Sequence, residues 1–484
     1  MFINISCNHL QFLPSLKDVI RIFFSDAQFS DIQENIKIKL IAQIRETVQI
    51  FVSIGPEKQQ DYFFEEQLYD DEEPHNQLRR ASRLALYNLI KSWTGDVGSP
   101  WGILTGIRPT KIVHRWLDHN LEKKEIKERL ILRYALDEGK AKLLLDVACI
   151  QRPFLSKEET NKHIGIYIAI PFCPTRCLYC SFSAEPLKKS GFLVKPYLSS
   201  LMVEIENIGK VIQKLGLTVT TLYLGGGTPT CIDNQEFESL LGSINNYFDV
   251  KNLKEYTVEA GRPDTLSKEK LLIMHKQGVS RISINPQTMH QKTLELIGRR
   301  HTVREVSESF YQAVDLGFNI NMDLIIGLPG ENTEEVDFSF SRVAELFPDN
   351  LTVHTLAIKK KSQLHREMEH YSLARNKEVL EMMEIARDWA HKMDMYPYYL
   401  YRQKNILGGL ENIGYCRPGK ECLYNIMIME EKQTVVGLGA GAGSKFVENN
   451  PYFLSAFYNP KDIDCYRKRL AEVIKKKIDK LKAI

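Results

Sequence analysis

The chain has 484 residues, 43% of them apolar and 26% charged, proportions of an ordinary globular protein that exclude a disordered or collagen-like chain. At roughly 150 residues per domain this length suggests about three domains, or two with one large. Sixty-four Lys and Arg against 61 Asp and Glu leave a net charge of +3, too balanced for a dedicated nucleic-acid or membrane-surface binder. Nine cysteines are too sparse for a disulfide scaffold. The opening Met1 to Asn8 lacks the basic segment and apolar core of a signal peptide, and no run approaches the ~18 apolar residues of a membrane span. The expectation is a soluble, monomeric protein of the reducing cytoplasm, with neither nucleic acid nor membrane as a partner.

Residues 1–155 are expected to form an accessory α/β domain. Apolar runs at Ile36–Ile41 and Thr47–Ile54 predict a strand pair, an acidic stretch runs from Glu65 to Glu73, and helical patterns cover Leu78 to Trp93 and Lys123 to Ala148. Trp101–Thr110 is rich in turn formers and reads as a docked connector. No catalytic constellation stands out here, so the block is read as scaffold or substrate cover.

Residues 156–370 alternate strand and helix patterns. Short apolar runs fall at Ile164–Ile170, Val219–Leu224, Tyr256–Glu259, Arg281–Asn285, Asn319–Ile326 and Leu351–Ala357. Between them, Ser267 is the expected N-cap of a helix reaching Gln277 and stopped by Gly278. Val303, Val306, Phe310, Ala313 and Val314 share one helical face, stopped by Gly317. Such units imply a parallel sheet joined by right-handed crossovers. Six in succession suit a barrel or partial barrel, with a doubly wound sheet as the alternative. Residues 371–484 read as a mainly helical region covering the barrel mouth: a long helix, a strand at Tyr396–Tyr401, a loop rich in Gly and Cys, and a terminal helix. In that helix Leu470, Ile474, Ile478 and Leu481 form the apolar face, and Lys475, Lys476, Lys477, Lys480 and Lys482 the basic exterior.

The most informative residues are Cys173, Cys177 and Cys180, spaced C-x3-C-x2-C in the loop after the first core strand. Three thiolates on a short loop can wrap one face of a cubic iron–sulfur cluster and leave its fourth iron open for a small molecule. A structural zinc would want a fourth ligand nearby, for which His163 and Cys231 are the candidates; three unligated cysteines are the other alternative. Gly225-Gly226-Gly227-Thr228 ends the second strand, where bare backbone lets a ligand approach; no Gly-Lys-Ser/Thr follows, so it is not a P-loop. Glu259, Gln287, Arg299 and Asp323 stand at or just after successive strand ends, the place where barrel enzymes carry their sites. The run Val436 to Ser444 fits G-x-G-x-x-A formally but lacks the strand–helix–strand setting of a dinucleotide fingerprint. Lys359, Lys360 and Lys361, with Arg300 and Arg402, are candidate partners for an acidic substrate. Cys416 and Cys422 read as free thiols.

The cysteine loop resembles that of the radical S-adenosylmethionine (SAM) superfamily. Tyr167-Ile-Ala-Ile-Pro-Phe-Cys173, Gly225-Gly-Gly-Thr-Pro-Thr230, Ser283-Ile-Asn-Pro-Gln287 and Asp323-Leu-Ile-Ile-Gly-Leu-Pro-Gly330 are similar to segments of the oxygen-independent coproporphyrinogen III oxidase family, and Trp101–Thr110 with the long N-terminal block resembles its HemZ-type branch. The resemblance spans essentially the whole chain. It implies an α/β fold with a partial (β/α)6 TIM-type barrel, and a 4Fe–4S cluster on Cys173, Cys177 and Cys180. It also implies SAM chelated at the open iron and one-electron supply by a partner such as flavodoxin or ferredoxin. By the same resemblance Tyr167, Gly226 and Glu259 contact the cluster-bound SAM. Tyr179, Gly227, Thr228, Gln287, Arg299, Asp323 and Ala357 match positions that hold a second SAM; one SAM molecule or two are both compatible with the pattern. The implied reaction is the oxidative decarboxylation of two propionates of coproporphyrinogen III, a tetrapyrrole, giving protoporphyrinogen IX in haem biosynthesis.

Three positions depart from the oxidase family. Phe182 stands where a fourth cysteine is usual, Ala169 where a His is usual, and Tyr424-Asn425 replaces a His-Asn pair. Phe182 is similar to the related haem-chaperone branch. Two alternatives therefore stand beside the decarboxylase: a radical SAM enzyme that opens haem, and a haem chaperone without decarboxylase activity.

Overall fold

The computed structural model describes residues 1–31, 35–55, 59–155, 162–447 and 454–483. It divides into two compact units, Met1–Asp146 and Val147–Ile484, and the division falls inside the helix Glu138–Gln151. The junction expected at 155/156 adjoins residues 156–161, which lie outside the described residues.

In the first unit, strands β1 (Phe2–Cys7), β2 (Gln28–Phe29), β3 (Ile36–Ile44), β4 (Thr47–Gly55) and β5 (Gln60–Gln67) form one sheet in the order β2-β1-β3-β4-β5. Strict alternation in β3 puts Ile36, Ile38, Leu40 and Ala42 into the core and the intervening lysines outside. The helix Pro74–Thr94 packs across β3, β4 and β5. The helical pattern read over Lys123 to Ala148 is two helices, Lys123–Tyr134 and Glu138–Gln151. Ala135 breaks it in the left-handed conformation, φ 55°, and the Asp137 carboxylate accepts the Gly139 N–H at 2.8 Å to start the second helix. The connector is docked as its turn formers predict: Trp101 and Ile103 are fully buried.

The second unit carries β6 (His163–Ile170), β7 (Phe172–Cys173), β8 (Glu185–Pro186), β9 (Thr218–Gly226), β10 (Glu255–Val258), β11 (Arg281–Ser283), β12 (Asn319–Ile326) and β13 (Asn350–Thr355). It continues with β14 (Tyr396–Tyr401), β15 (Asn412–Cys416), β16 (Thr434–Leu438), β17 (Gly443–Val447) and β18 (Leu454–Tyr458). β6, β9, β10, β11, β12 and β13 are neighbours in that order and all parallel. These are the six strands of a partial (β/α)6 barrel. Helices cross between them, among them Val194–Lys214, Asn234–Tyr247, Lys268–Lys276, Val303–Asp315 and Thr333–Leu346. Ser267 caps the third of these by accepting Lys270 N–H at 3.1 Å, and Thr302 with Glu305 forms a capping box on the fourth.

The strands after residue 370 continue the same sheet. β15 and β14 extend it antiparallel beyond β13, and β16 lies parallel against β6 with β17 and β18 outside it. The glycine run 436–444 is thus a strand, a turn and the start of the next strand. Gly437 stands beside Tyr167 in register, and Gly439 and Gly441 take positive φ in the turn.

One reading of the terminal helix is corrected. Lys477 is not on the basic exterior but fully buried. In Leu470–Leu481 it shares a face with Val473, Ile474 and Leu481, at helical spacing. Its ammonium bonds Glu204 at 2.5 Å and the Gly437 carbonyl. Glu204, also fully buried, accepts the Gly439 N–H and the Tyr466 hydroxyl, each at 2.7 Å. Burial without such partners would be prohibitive for either charge. Among the described residues no helix is long and apolar enough to cross a membrane.

Candidate active site

The cysteine loop leaves the end of β6 and is pinned between its second and third cysteines. Leu178 is its anchor. It sits in an apolar cluster with Leu294, Ile297, Leu328, Leu356 and Leu364, donates its N–H to the Ile297 carbonyl and accepts that of Leu364, both at 3.0 Å. With the backbone so held, Cys173, Cys177 and Cys180 all line one cavity of about 420 Å³ at the C-terminal ends of the parallel strands. All three thiols are free.

Burial pushes the Cys173 thiol up to about 11, against a Thr228 hydroxyl donated at 3.5 Å. Burial also raises Cys180. Such thiols become thiolates only when a cation takes the proton's place. Among the described residues no three His, Cys, Asp or Glu side chains are arranged to hold a single metal ion. A structural zinc ion needs four ligands around one centre. A cubic cluster binds each thiolate to a separate iron, and three free thiols on one loop facing one cavity fit it. Gly227 fits as well: a Cβ there would stand 3.0 Å from the Cys173 sulfur and would collide with the Phe172 carbonyl. The backbone beside this ligand is bare because no side chain can be there.

The opposite wall is built by strand alternation. Ser283, Asn285 and Gln287 from β11 and the turn after it, Asn321, Asp323 and Ile325 from β12, Thr352 and His354 from β13, and Tyr399 and Tyr401 from β14 all face the cavity. Of the residues matched to SAM contacts, all but Tyr167 line it: Tyr179, Gly226, Gly227, Thr228, Glu259, Gln287, Arg299, Asp323 and Ala357 are brought together with the three cysteines. Tyr167 stands one layer back, its ring 6.2 Å from that of Tyr223 and 6.1 Å from that of Tyr424.

Several of these groups have open bonding capacity. Gln287 takes φ 71°, a conformation unusual for a residue with a side chain. It is held there by bonding its N–H to the Asp323 carbonyl and its own carbonyl to Ile325 N–H, both at 2.9 Å. Its Oε1 is buried with no hydrogen-bond partner, as are Asn285 Oδ1 and Ser283 Oγ. Glu259 accepts the Tyr223 hydroxyl at 2.7 Å and the Gly226 N–H at 3.3 Å. Burial nevertheless pushes its carboxyl up to about 7, with the Asp323 charge adding to the rise. Asp323 accepts Asn321 Nδ2 at 2.7 Å and faces His354 Nε2 at 3.4 Å. Arg299 donates from Nη2 to the carbonyls of Gly261 and Asn285.

The cationic candidates divide. Lys359 lines the cavity, while Lys360, Lys361 and Arg300 are exposed outside it. Arg402 is buried and donates to the carbonyls of Gly409 and Leu410. Arg176, exposed on the cysteine loop, lines the mouth. Sequence reasoning missed His354, Asn321, Tyr223, Tyr399 and Tyr401. The period-2 spacing from Asp323 back to Asn321 was a usable signal, whereas β14 reaches the cavity only through tertiary pairing. Of the departures, Phe182 is 73% exposed at the mouth. Tyr424 stacks on Tyr223 at 4.3 Å, and Ala169 is buried with its carbonyl accepting the Tyr197 hydroxyl at 2.5 Å.

Residues 167–342 match the radical SAM superfamily. The chain is 42% identical over 437 residues to the oxygen-independent coproporphyrinogen-III oxidase-like protein HemZ of Bacillus subtilis, an alignment covering 89% of this chain and 86% of that one. It is 33% identical over 281 residues to the heme chaperone HemW of the same bacterium, covering 57% and 69%. Its fold is similar to that of the coproporphyrinogen III oxidase HemN from Escherichia coli, with a TM-score of 0.53 and 21% identity over 67% of this chain and 72% of that one.

Proposed function

Because this chain belongs to the radical SAM superfamily, in the family of the HemZ coproporphyrinogen-III oxidase-like protein, we propose that it is an oxygen-independent coproporphyrinogen III dehydrogenase. Its cofactors are a 4Fe–4S cluster and SAM, the pair the superfamily uses. The observation that carries the reading is the meeting of three thiols with the strand-end polar groups in one cavity. Cys173, Cys177 and Cys180 would hold the cluster. When bound, the cluster and SAM would supply hydrogen-abstracting one-electron chemistry, by which each of two propionates would lose a hydrogen atom and carbon dioxide and pass one electron to an external acceptor to become a vinyl group.

The chain's own residues hold and shield. Glu259, fixed by Tyr223 and Gly226 N–H, presents its carboxylate to the amino group of SAM. Asp323, oriented by Asn321 and His354, accepts from hydroxyl groups. Gln287 Oε1, left without a partner, faces the same ligand. Lys359 and Arg176 stand at the mouth to meet substrate carboxylates. The stacked Tyr223 and Tyr424 close the wall behind the reacting centre against water. A flavodoxin or ferredoxin supplies the electron.

A haem chaperone is the second reading, favoured by the exposed Phe182 at the mouth. The two separate in one anaerobic experiment: reconstituted protein, reductant, SAM and coproporphyrinogen III, followed by mass spectrometry. Two losses of formic-acid mass with 5′-deoxyadenosine are expected. Intact substrate with uncoupled 5′-deoxyadenosine, or a tight haem complex without SAM cleavage, would overturn the decarboxylase.

A further inference from the structure

A charged side chain on the cavity wall sits against the cysteine loop. Arg262 lies four residues beyond β10 and is 4% exposed. Asp264 grips it through both carboxylate oxygens, each at 3.0 Å from Nε and Nη2. Its remaining N–H groups point at the loop. Nη1 and Nη2 reach Thr175 Oγ1 at 3.2 and 3.1 Å, and Nη1 reaches the Cys177 sulfur at 3.8 Å. Thr175 in turn donates to the Gly298 carbonyl at 3.0 Å. Only a planar guanidinium can satisfy a carboxylate with one edge and serve a hydroxyl and a sulfur with the other.

The charges around this group are few. Asp264 is the anion, and Arg299 is the second cation near it. His301, fully buried and 4.0 Å from Asp264, stays neutral, because burial and the two arginines hold its ring at about 3. The cysteine loop therefore faces the cationic edge of a nearly dry ion pair on the side of Cys177.

We propose that Arg262 sets the reduction potential of the cluster through Cys177, favouring the reduced state; the inference rests on the three-cysteine cluster reading above. Reduction adds one negative charge to the cluster. Hydrogen bonds to its sulfurs and the local net charge are the levers that tune such centres. In a low-dielectric surround a neighbouring cation acts far more strongly than in water. Arg262 is thus a positioning and tuning residue, acting through a ligand on the ease with which an external donor charges the centre.

The test is a redox titration of the reconstituted protein, read by the electron paramagnetic resonance of the reduced cluster, with iron content measured on each sample. In Arg262→Gln the ratio of reduced to oxidised cluster at fixed applied potential should fall at least tenfold, a downward shift of about 59 mV for a one-electron couple. Arg262→Lys, which keeps the charge but not the fork, should restore only part of it. Asp264→Asn, which removes the counter-anion, should move the potential upward. A clamp that merely shapes the loop predicts no opposite signs. Normal iron content with unmoved potentials in Arg262→Gln and Asp264→Asn overturns the inference alone. If Arg262→Gln assembles no cluster, the sign in Asp264→Asn decides. A wild-type chain that takes up no cluster overturns the cluster reading and this inference together.

Discussion

Replacing Lys477 by Met keeps the aliphatic stem and removes the ammonium. Glu204 would retain the Gly439 N–H, the Tyr466 hydroxyl and a weaker Asn459 Nδ2 contact at 3.4 Å, but it would be an uncompensated buried charge. Breaking one side of such a pair costs about 3–5 kcal/mol. Taking ~4 kcal/mol, the opening equilibrium of the terminal helix and β16 rises by roughly three decades. Hydrogen exchange followed by mass spectrometry on peptides covering 434–447 and 463–483 should show protected amides exchanging about a thousandfold faster. Glu204→Gln combined with Lys477→Met leaves two neutral groups and should recover much of the loss, as neutral replacements of buried pairs do. Exchange within tenfold of wild type in Lys477→Met, or no recovery in the double variant, would refute the argument that charge pairing holds this helix.

Gly227→Ala should lower iron content and cluster absorbance severalfold while circular dichroism stays near wild type, since the added methyl group displaces the backbone at Phe172 and Cys173 rather than the wider core. Cys177→Ala should abolish cluster absorbance and SAM cleavage together; a full cluster in that variant would sink the ligand assignment. Glu259, with its carboxyl at about 7, holds a proton below that pH, and a cationic amino group favours the ionised form. SAM affinity measured by anaerobic equilibrium dialysis should therefore rise up to about tenfold per pH unit below pH 7 and level off above it, and Glu259→Gln should flatten the profile. Without ligand the sign reverses for folding: the folded state keeps a proton that the unfolded chain releases from its ordinary 4.5, so this carboxyl's contribution to stability is lost as pH rises through 7.

The barrel was legible because its strands are buried on both faces and read as apolar runs. Asn319–Ile326 falls where the sequence puts it, and the other five runs differ from the observed strands by a few residues at their ends, where periodicity carries no signal. The site was legible because its residues follow strand ends, and a strand end fixes a place on the barrel mouth. Tyr399, Tyr401 and Asn412 were not, since β14 and β15 reach the cavity only by pairing with β13. Lys477 was misassigned because a lysine on an apolar face looks like a solvated one until its partner, Glu204, is brought to it from a helix far earlier in the chain. Arg262 carried no motif at all, and its meaning lies in the distance to Cys177.

One pairing in the sheet bears on the order in which the chain leaves the ribosome. β6 carries the strand that leads into the cysteine loop, and its free edge is covered by β16, residues Thr434–Leu438. During synthesis that edge waits for more than half of the chain to emerge. A naked strand edge invites misassociation. The strand from which the cysteine loop departs is therefore the last of the six parallel strands to gain both of its neighbours.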